Sequence, residues 1–119
     1  MIYGGEAVMQ IINDAVSMLY CGNDKEIQYE IIDSFCSEGE KHSNTIKQAI
    51  EKKDYVTYEL ETHSLKSLAM TVGAVSLAEL AKLHNNACKK KDYQFVMIHG
   101  NELYEKYVDT IDTLQHMNR

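Results

Sequence analysis

Residues 54–74 read DYVTYELETHSLKSLAMTVGA. Apolar and aromatic residues recur in this stretch at spacings of three and four, which is the period of one face of an α-helix. Asp54 is a suitable N-cap before the first of them, and Gly73 follows the last as a stop signal. The stretch therefore predicts an amphipathic helix with a defined inner face. The residues of that face are Tyr55, Tyr58, Thr62, Leu65, Ala69 and Val72.

The segment before this helix predicts either one long helix or two shorter ones. Asn23 or Asp24 is a suitable N-cap, and the helical period continues to about Lys53. Gly39 lies in the middle and costs about 1 kcal/mol relative to alanine in a helix interior. One helix bent near Gly39 and two separate helices both fit the pattern. The expected inward residues are Ile27, Ile31, Phe35, Ile46, Ala49 and Ile50.

Two further helices follow, and a short one comes first. Ser76 and Glu79 have the spacing of a capping box, and Asp92 is the expected N-cap of the last helix. Gly100 within that last helix indicates a close approach to a neighbour. Residues 6–20 predict a short N-terminal helix. Its expected stripe is Val8, Ile12, Ala15 and Leu19.

The connections between these helices are very short, which forces neighbouring helices to be antiparallel. We therefore predict an all-α protein, with an antiparallel up-down-up-down four-helix bundle and a short additional N-terminal helix. The chain has 119 residues, which is close to the commonest size of one domain, so residues 1–119 are expected to form a single bundle domain. The absence of proline agrees with a chain that is helical throughout.

Composition narrows the possible partners and compartment. The net charge of −6 argues against nucleic acid, because phosphate backbones require clustered basic residues. The cysteines, three in number, fit reduced thiols in the cytoplasm better than a disulfide framework. The first ten residues show no signal peptide, and no run of apolar residues approaches the length of a membrane span. We expect a cytoplasmic protein with no membrane partner.

His63 lies outside the inner face of the helix in residues 54–74. It shares an outer stripe with Glu59, Lys66, Ser67 and Met70, because residues three and four apart are neighbours on a helix surface. A neutral imidazole is a nucleophile near pH 7, and an exposed one can reach an electrophile held by another protein. Lys66 can supply charge to phosphoryl oxygens, and Ser67 leaves space. A simple solvated helix surface would give the same pattern.

Other catalytic and metal sites find no support in the sequence. The chain has no P-loop and no G-x-G-x-x-G motif, so His63 would have to receive a phosphoryl group rather than take it from ATP. No H-E-x-x-H or E-x-x-H pair is present, and we expect no metal site. His84 falls on an apolar stripe and is expected to be a core residue.

Residues 63–67, HSLKS, and the later Gly73-Ala74 resemble the signature of histidine phosphotransfer (HPt) domains. That signature is His-x-Leu-Lys-Gly, followed by Gly-Ala ten and eleven residues after the histidine. The resemblance extends over about residues 8–115. It includes DKEIQYEIIDSFCSE at 24–38, KQAIEKKD at 47–54 and LAELAKLHNNACKKKD at 77–92.

The resemblance implies roles for particular residues. His63 would be phosphorylated through its outward ring nitrogen, and Lys66 would steady the phosphoryl oxygens. Ser67 stands where the family usually has glycine. Asn85 occupies the position at which the family often carries Gln or Glu near the imidazole, and would be a further phosphate-binding residue. The expected docking face for a partner is Glu59, Met70 and Gly73.

The resemblance also implies a function and partners. The chain would be a monomeric phosphorelay intermediate that accepts a phosphoryl group from the phospho-aspartate of a receiver domain and passes it to another receiver. A hybrid histidine kinase would be a further partner. The chain would be a phosphohistidine carrier without ATP-dependent kinase activity. It would need no cofactor, because magnesium is expected on the partner receiver domain.

Two alternatives remain open from the sequence. The dimerisation domain of a histidine kinase also presents a helical histidine, but there an acidic residue directly follows the histidine and a proline comes shortly after. Here Ser64 follows His63, and the chain has no proline. The second alternative is a non-catalytic helical interaction module.

Overall fold

A computed structural model describes residues 12–117 of the chain. This part contains helices and connecting turns and no strand, so the predicted all-α class is confirmed. No helix within it has the length and apolar character needed to cross a membrane. The helices are α1 (Asp14–Tyr20), α2 (Lys25–Lys52), α3 (Tyr55–Thr71), α4 (Val75–Lys89) and α5 (Tyr93–Gln115).

Helices α2 to α5 form the predicted four-helix bundle. Each packs against the next along the chain, and α5 also packs against α2, which closes the ring. The connections between them are only two or three residues long, so each helix must run antiparallel to the one before it. The short helix α1 packs against the end of α3 and, more weakly, against α2.

Three of the predicted N-caps are confirmed. Asp24, Asp54 and Asp92 precede α2, α3 and α5, and the carboxylate of each accepts hydrogen bonds from backbone N–H groups two or three residues later. These bonds satisfy donors that have no partner within the helix itself. The choice left open between Asn23 and Asp24 therefore falls on Asp24.

The capping box predicted at Ser76 and Glu79 is wrong. Helix α4 begins at Val75, and its N-cap is Ala74, which makes no side-chain cap hydrogen bond. The reason lies in the preceding turn. Gly73 has a φ of +76°, which reverses the chain immediately after α3. Ala74 is thereby placed at the cap position, where it is buried in the core instead of capping the helix.

The N-terminal helix begins later than predicted. Asn13 has an extended backbone, and its side chain accepts a hydrogen bond from Val16 N, so it caps α1 directly before Asp14. A continuous helix over residues 6–20 is therefore wrong within the described part. Residues 6–11, with Val8, lie outside it. Of the predicted stripe, Ile12 is partly buried and packs against the core, as expected, whereas the prediction is wrong for Ala15 and Leu19, which are exposed.

The inner face of α1 is polar, which explains why hydrophobicity did not reveal it. Ser17 is fully buried, and its Oγ donates a 2.9 Å hydrogen bond to the carbonyl of Thr71 at the end of α3. Gln28 is also buried and donates through Nε2 to Asp14 Oδ1 and Ser17 Oγ. Ile27, predicted to face inward, is instead 44% exposed.

Helix α2 continues through Gly39 without a break. A Cβ added at Gly39 would lie 2.7 Å from Ile111 Cδ1, so the glycine allows α5 to pack closely against α2. Gly100 has the corresponding role on α5, because an added Cβ would lie 2.9 Å from Ile50 Cδ1. The predicted close approach at Gly100 is therefore confirmed.

Candidate functional site

The inner face predicted for α3 is confirmed. Tyr58, Thr62, Leu65 and Ala69 are buried along the helix, and Val72 is buried at its C-terminal cap. Large side chains on this face hold the helix in one rotation about its axis, since any other rotation would bring apolar surface into water. The rotation of α3 in turn determines which of its residues face solvent.

His63 lies on the solvent side of α3. Its side chain is exposed, as are those of Ser64 and Ser67, while Lys66 is half-buried. Across residues 12–117, the His63 side chain makes no hydrogen bond or ion pair. The structure therefore brings His63, Lys66 and Ser67 together on one open surface of the helix, as the spacing predicted.

Two exposed apolar residues extend this surface. Val56 and Leu60 are 74% and 65% exposed, and they lie seven and three residues before His63 on the same side of the helix. We call Val56, Leu60, His63 and Ser67 the outer ridge of α3. Exposed apolar residues that adjoin one another are typical of surfaces that bind proteins. Val56 and Leu60 were not among the predicted site residues, although their spacing from His63 places them on the same side of the helix.

Asn85 lies behind His63 rather than beside it. Its side chain is fully buried, and its Nδ2 donates to the Glu59 carbonyl at 2.9 Å and to Thr62 Oγ1 at 3.2 Å. Its Oδ1 is buried without a partner among the described residues. An amide oxygen accepts hydrogen bonds, as phosphoryl oxygens do, so it cannot bind them. The position of Asn85 thus does not support the predicted phosphate contact.

The Glu59 carbonyl links Asn85 to the histidine. In an α-helix each N–H bonds the carbonyl four residues earlier, and Glu59 precedes His63 by four. Asn85 thus contacts the carbonyl that receives the backbone N–H of His63. Thr62 Oγ1 donates to the Tyr58 carbonyl at 2.9 Å while it accepts from Asn85, which ties α4 to the turn that carries His63.

The predicted docking face is only partly present. Glu59 and Met70 are partly exposed on the side of α3 that adjoins α4. Gly73 is buried, which does not support its predicted place on a docking face. Its carbonyl accepts a 2.8 Å hydrogen bond from Asn13 N, and a Cβ at this position would collide with the Asn13 backbone. The backbone of Asn13 therefore covers Gly73.

His84 is a core residue, as predicted. It is fully buried, and its Nδ1 lies 2.8 Å from the Tyr58 hydroxyl in a buried hydrogen bond. Burial lowers the pKa of His84 to about 4, so its ring is neutral at pH 7. Burial also raises the pKa of Tyr58. In the part of the chain that the structure describes, no group of three acidic, histidine or cysteine side chains could hold a metal ion.

The described part of the chain is an antiparallel four-helix bundle. An exposed histidine lies on the outer side of α3, and a lysine follows it three residues later. The family model of the Hpt domain matches residues 30–115, and the chain belongs to this family. The match covers most of α2 and all of α3, α4 and α5. No curated protein and no solved structure matches the chain. Membership implies a general role in histidine phosphotransfer within phosphorelays, in which such domains interact with receiver domains and histidine kinases.

Proposed function

We propose that this chain is a phosphorelay intermediate in which His63 accepts a phosphoryl group from the phospho-aspartate of one receiver domain and passes it to another. One observation carries the proposal. The imidazole of His63 is exposed on a helix whose opposite face is packed in the core, and Lys66 and Ser67 share its open surface. Membership of the Hpt family supports the general role.

The reaction requires only an accessible neutral imidazole from this chain. The lone pair of the outward ring nitrogen attacks the phosphorus of the acyl phosphate, and a nitrogen–phosphorus bond forms as the bond from phosphorus to the carboxylate oxygen breaks. The aspartate leaves as a carboxylate. The other ring nitrogen keeps its proton, so the product is a phosphorylated imidazolium. Transfer to a second receiver reverses these steps.

Two neighbours of His63 have defined roles in the proposal. The ammonium group of Lys66 neutralises charge on the phosphoryl oxygens, which strengthens their hydrogen bonds. Ser67 is small enough to leave the approach to the ring open, and its hydroxyl is a further donor. Magnesium would belong to the receiver domain, and this chain would have no ATP-dependent kinase activity of its own.

The outer ridge of α3 is the proposed contact surface for the receivers, with Glu59 and Met70 beside it. Val56 and Leu60 supply apolar area next to the histidine, and flexible methionine adapts to different partners. We further propose that the chain acts as a monomer in the cytoplasm and that a hybrid histidine kinase supplies the first receiver.

Phosphotransfer from a panel of phosphorylated receiver domains tests the proposal. The wild type should acquire a label that is labile in acid and stable in base, and His63→Gln should acquire none while its helical circular dichroism is unchanged. Labelling of the folded His63→Gln variant would show that His63 is not the acceptor.

Phosphotransfer and sedimentation together separate the two alternatives. An interaction module without phosphate chemistry would bind receivers through the outer ridge, yet the wild type would remain unlabelled. A domain of the kinase dimerisation type would form a stable dimer at micromolar concentration, which sedimentation would detect.

A further inference from the structure

A cavity of about 240 Å³ lies between α2 and α3, on the side of α3 that faces away from α4. Its buried side is formed by Phe35, Gly39 and Tyr107, and its open side includes Ser34 and Leu68. The rings of Phe35 and Tyr107 lie 5.7 Å apart and are inclined at 45°. The lining is mainly apolar, as in sites that accept an apolar group.

The cavity continues towards His63. A smaller cleft shares His42, Leu68 and Tyr107 with it and reaches Ser64 and Leu65. These last two residues directly follow His63 in α3. Leu68 is 44% exposed at the boundary between the cavity and the solvent side of the helix. A protein that docks at His63 is therefore adjacent to this opening.

One carboxylate, that of Glu38, lies at the rim of the cavity. Glu38 is exposed, and among the described residues it makes no ion pair. Glu61 lies in the adjoining cleft, where its Oε1 is 3.0 Å from His42 Nδ1. An apolar cavity with a carboxylate at its edge complements an apolar side chain that has a basic residue beside it.

We propose that a receiver domain inserts an apolar side chain, flanked by a basic residue, into this α2–α3 cavity when it delivers its phosphoryl group to His63. The proposal rests on the function proposed above and adds an anchor point to it. Side chains that fill a pocket near the centre of an interface carry a large share of the binding free energy. The cavity would thus help to decide which receivers are accepted.

Ser34→Phe tests the proposal by filling the cavity from its open side. Ser37→Phe is the matched control, because Ser37 is also exposed on α2 and does not line the cavity. Steady-state phosphotransfer from a phosphorylated receiver gives KM and kcat for each variant. Phosphoramidate, a small phosphoryl donor that needs no docking, reports the reactivity of His63 itself.

The expected result is a selective loss of docking. Ser34→Phe should raise the KM for the receiver by about tenfold or more, as for the loss of an anchor residue. Its labelling by phosphoramidate should equal that of the wild type, and Ser37→Phe should behave as the wild type in both assays. An unchanged KM for folded Ser34→Phe would overturn the proposal.

Glu38→Lys provides a second test that does not depend on filling the cavity. Its control is Glu40→Lys, which changes the net charge equally but lies at the α2–α5 groove on the other side of α2. Only Glu38→Lys should raise the KM, and the increase should shrink at high salt. Equal effects of the two variants on the KM would show that Glu38 does not contact the receiver.

Failure of the cavity proposal differs from failure of the proposed function. In the first case receivers label the wild type and Ser34→Phe with the same KM. In the second case no receiver labels or binds the wild type, although phosphoramidate still labels His63, and the proposed occupant of the cavity is then overturned as well.

Discussion

The side chain of Asn85 on α4 donates a 2.9 Å hydrogen bond to the carbonyl of Glu59 on α3, the carbonyl one helical turn before His63. A buried residue of one helix thereby contacts the backbone that carries an exposed histidine on the next. Asn85 is thus placed to position the histidine, although it does not lie on the open surface.

Replacement of Asn85 by alanine should lower both stability and the rate of transfer. Loss of its buried hydrogen bonds should cost about 1–3 kcal/mol of the free energy of unfolding, measured by urea denaturation. The kcat for phosphotransfer should fall while the KM for the receiver is unchanged, because the turn that carries His63 is less firmly held. Asn86→Ala is the control, since Asn86 is exposed beside it. A KM that rises with an unchanged kcat would contradict a positioning role.

Lys66→Ala should weaken transfer without an effect on folding. Removal of one charged donor to the phosphoryl oxygens corresponds to a loss of about 1.5–3 kcal/mol, or roughly tenfold or more in rate. The transfer rate and the lifetime of the phosphohistidine measure this loss. Lys82→Ala, at an exposed position on α4, removes the same charge elsewhere. If both variants lose rate equally, the effect comes from overall charge and not from Lys66.

Gly73→Ala should destabilise the protein more than Gly22→Ala. Both glycines have positive φ, +76° at Gly73 and +61° at Gly22, so alanine is strained at each. At Gly73 the new Cβ also collides with the Asn13 backbone, whereas at Gly22 it meets no atom within 4 Å. We expect about 1 kcal/mol of strain at Gly22 and a larger loss at Gly73. Urea denaturation measures the free energy of unfolding of both variants. Equal losses would show that the backbone at Asn13 can move aside at no cost.

Acid should destabilise the protein through His84. Its pKa falls from 6.5 in the unfolded chain to about 4 in the folded one because it is buried. Between these values the unfolded state binds more protons, so the free energy of unfolding decreases as the pH is lowered through this range. The contribution is on the order of 3 kcal/mol, since the two pKa values differ by about 2.5 and a difference of one corresponds to about 1.4 kcal/mol.

Urea denaturation of the wild type and of His84→Gln at pH 7, 5.5 and 4 measures this contribution. The variant should show a shallower decline in stability between pH 6.5 and pH 4, because carboxylates and other histidines titrate alike in both proteins. Parallel curves for the two proteins would show that His84 does not contribute.

The sequence predicted the helices and the open surface of α3 because both depend on local spacing. Helix α3 has an unbroken inner face, and that face alone places His63, Lys66 and Ser67 towards solvent. The caps at Asp24, Asp54 and Asp92 are equally local. Each follows from one short polar side chain directly before a helix.

The errors arose where one segment meets another. Ser17 and Gln28 form a polar contact between α1 and α2, whereas apolar periodicity predicts Ala15 and Ile27 as the inward residues. Gly73 is covered by Asn13, which is 60 residues away in the chain, and Asn85 bonds a backbone carbonyl that no sequence motif marks. The cavity beside Leu68 depends on the separation of α2 and α3, which the spacing of residues within either helix does not determine.

The packing of α3 has a consequence for how the relay would run. The helix offers His63 from one side only, and its core contacts leave it no freedom to turn. A donor and an acceptor would therefore compete for the same surface and visit it in turn, as in ping-pong kinetics. A donor receiver that has lost its phosphoryl group would block the acceptor for as long as it stays bound. The rate of the relay would therefore depend on how quickly each partner dissociates.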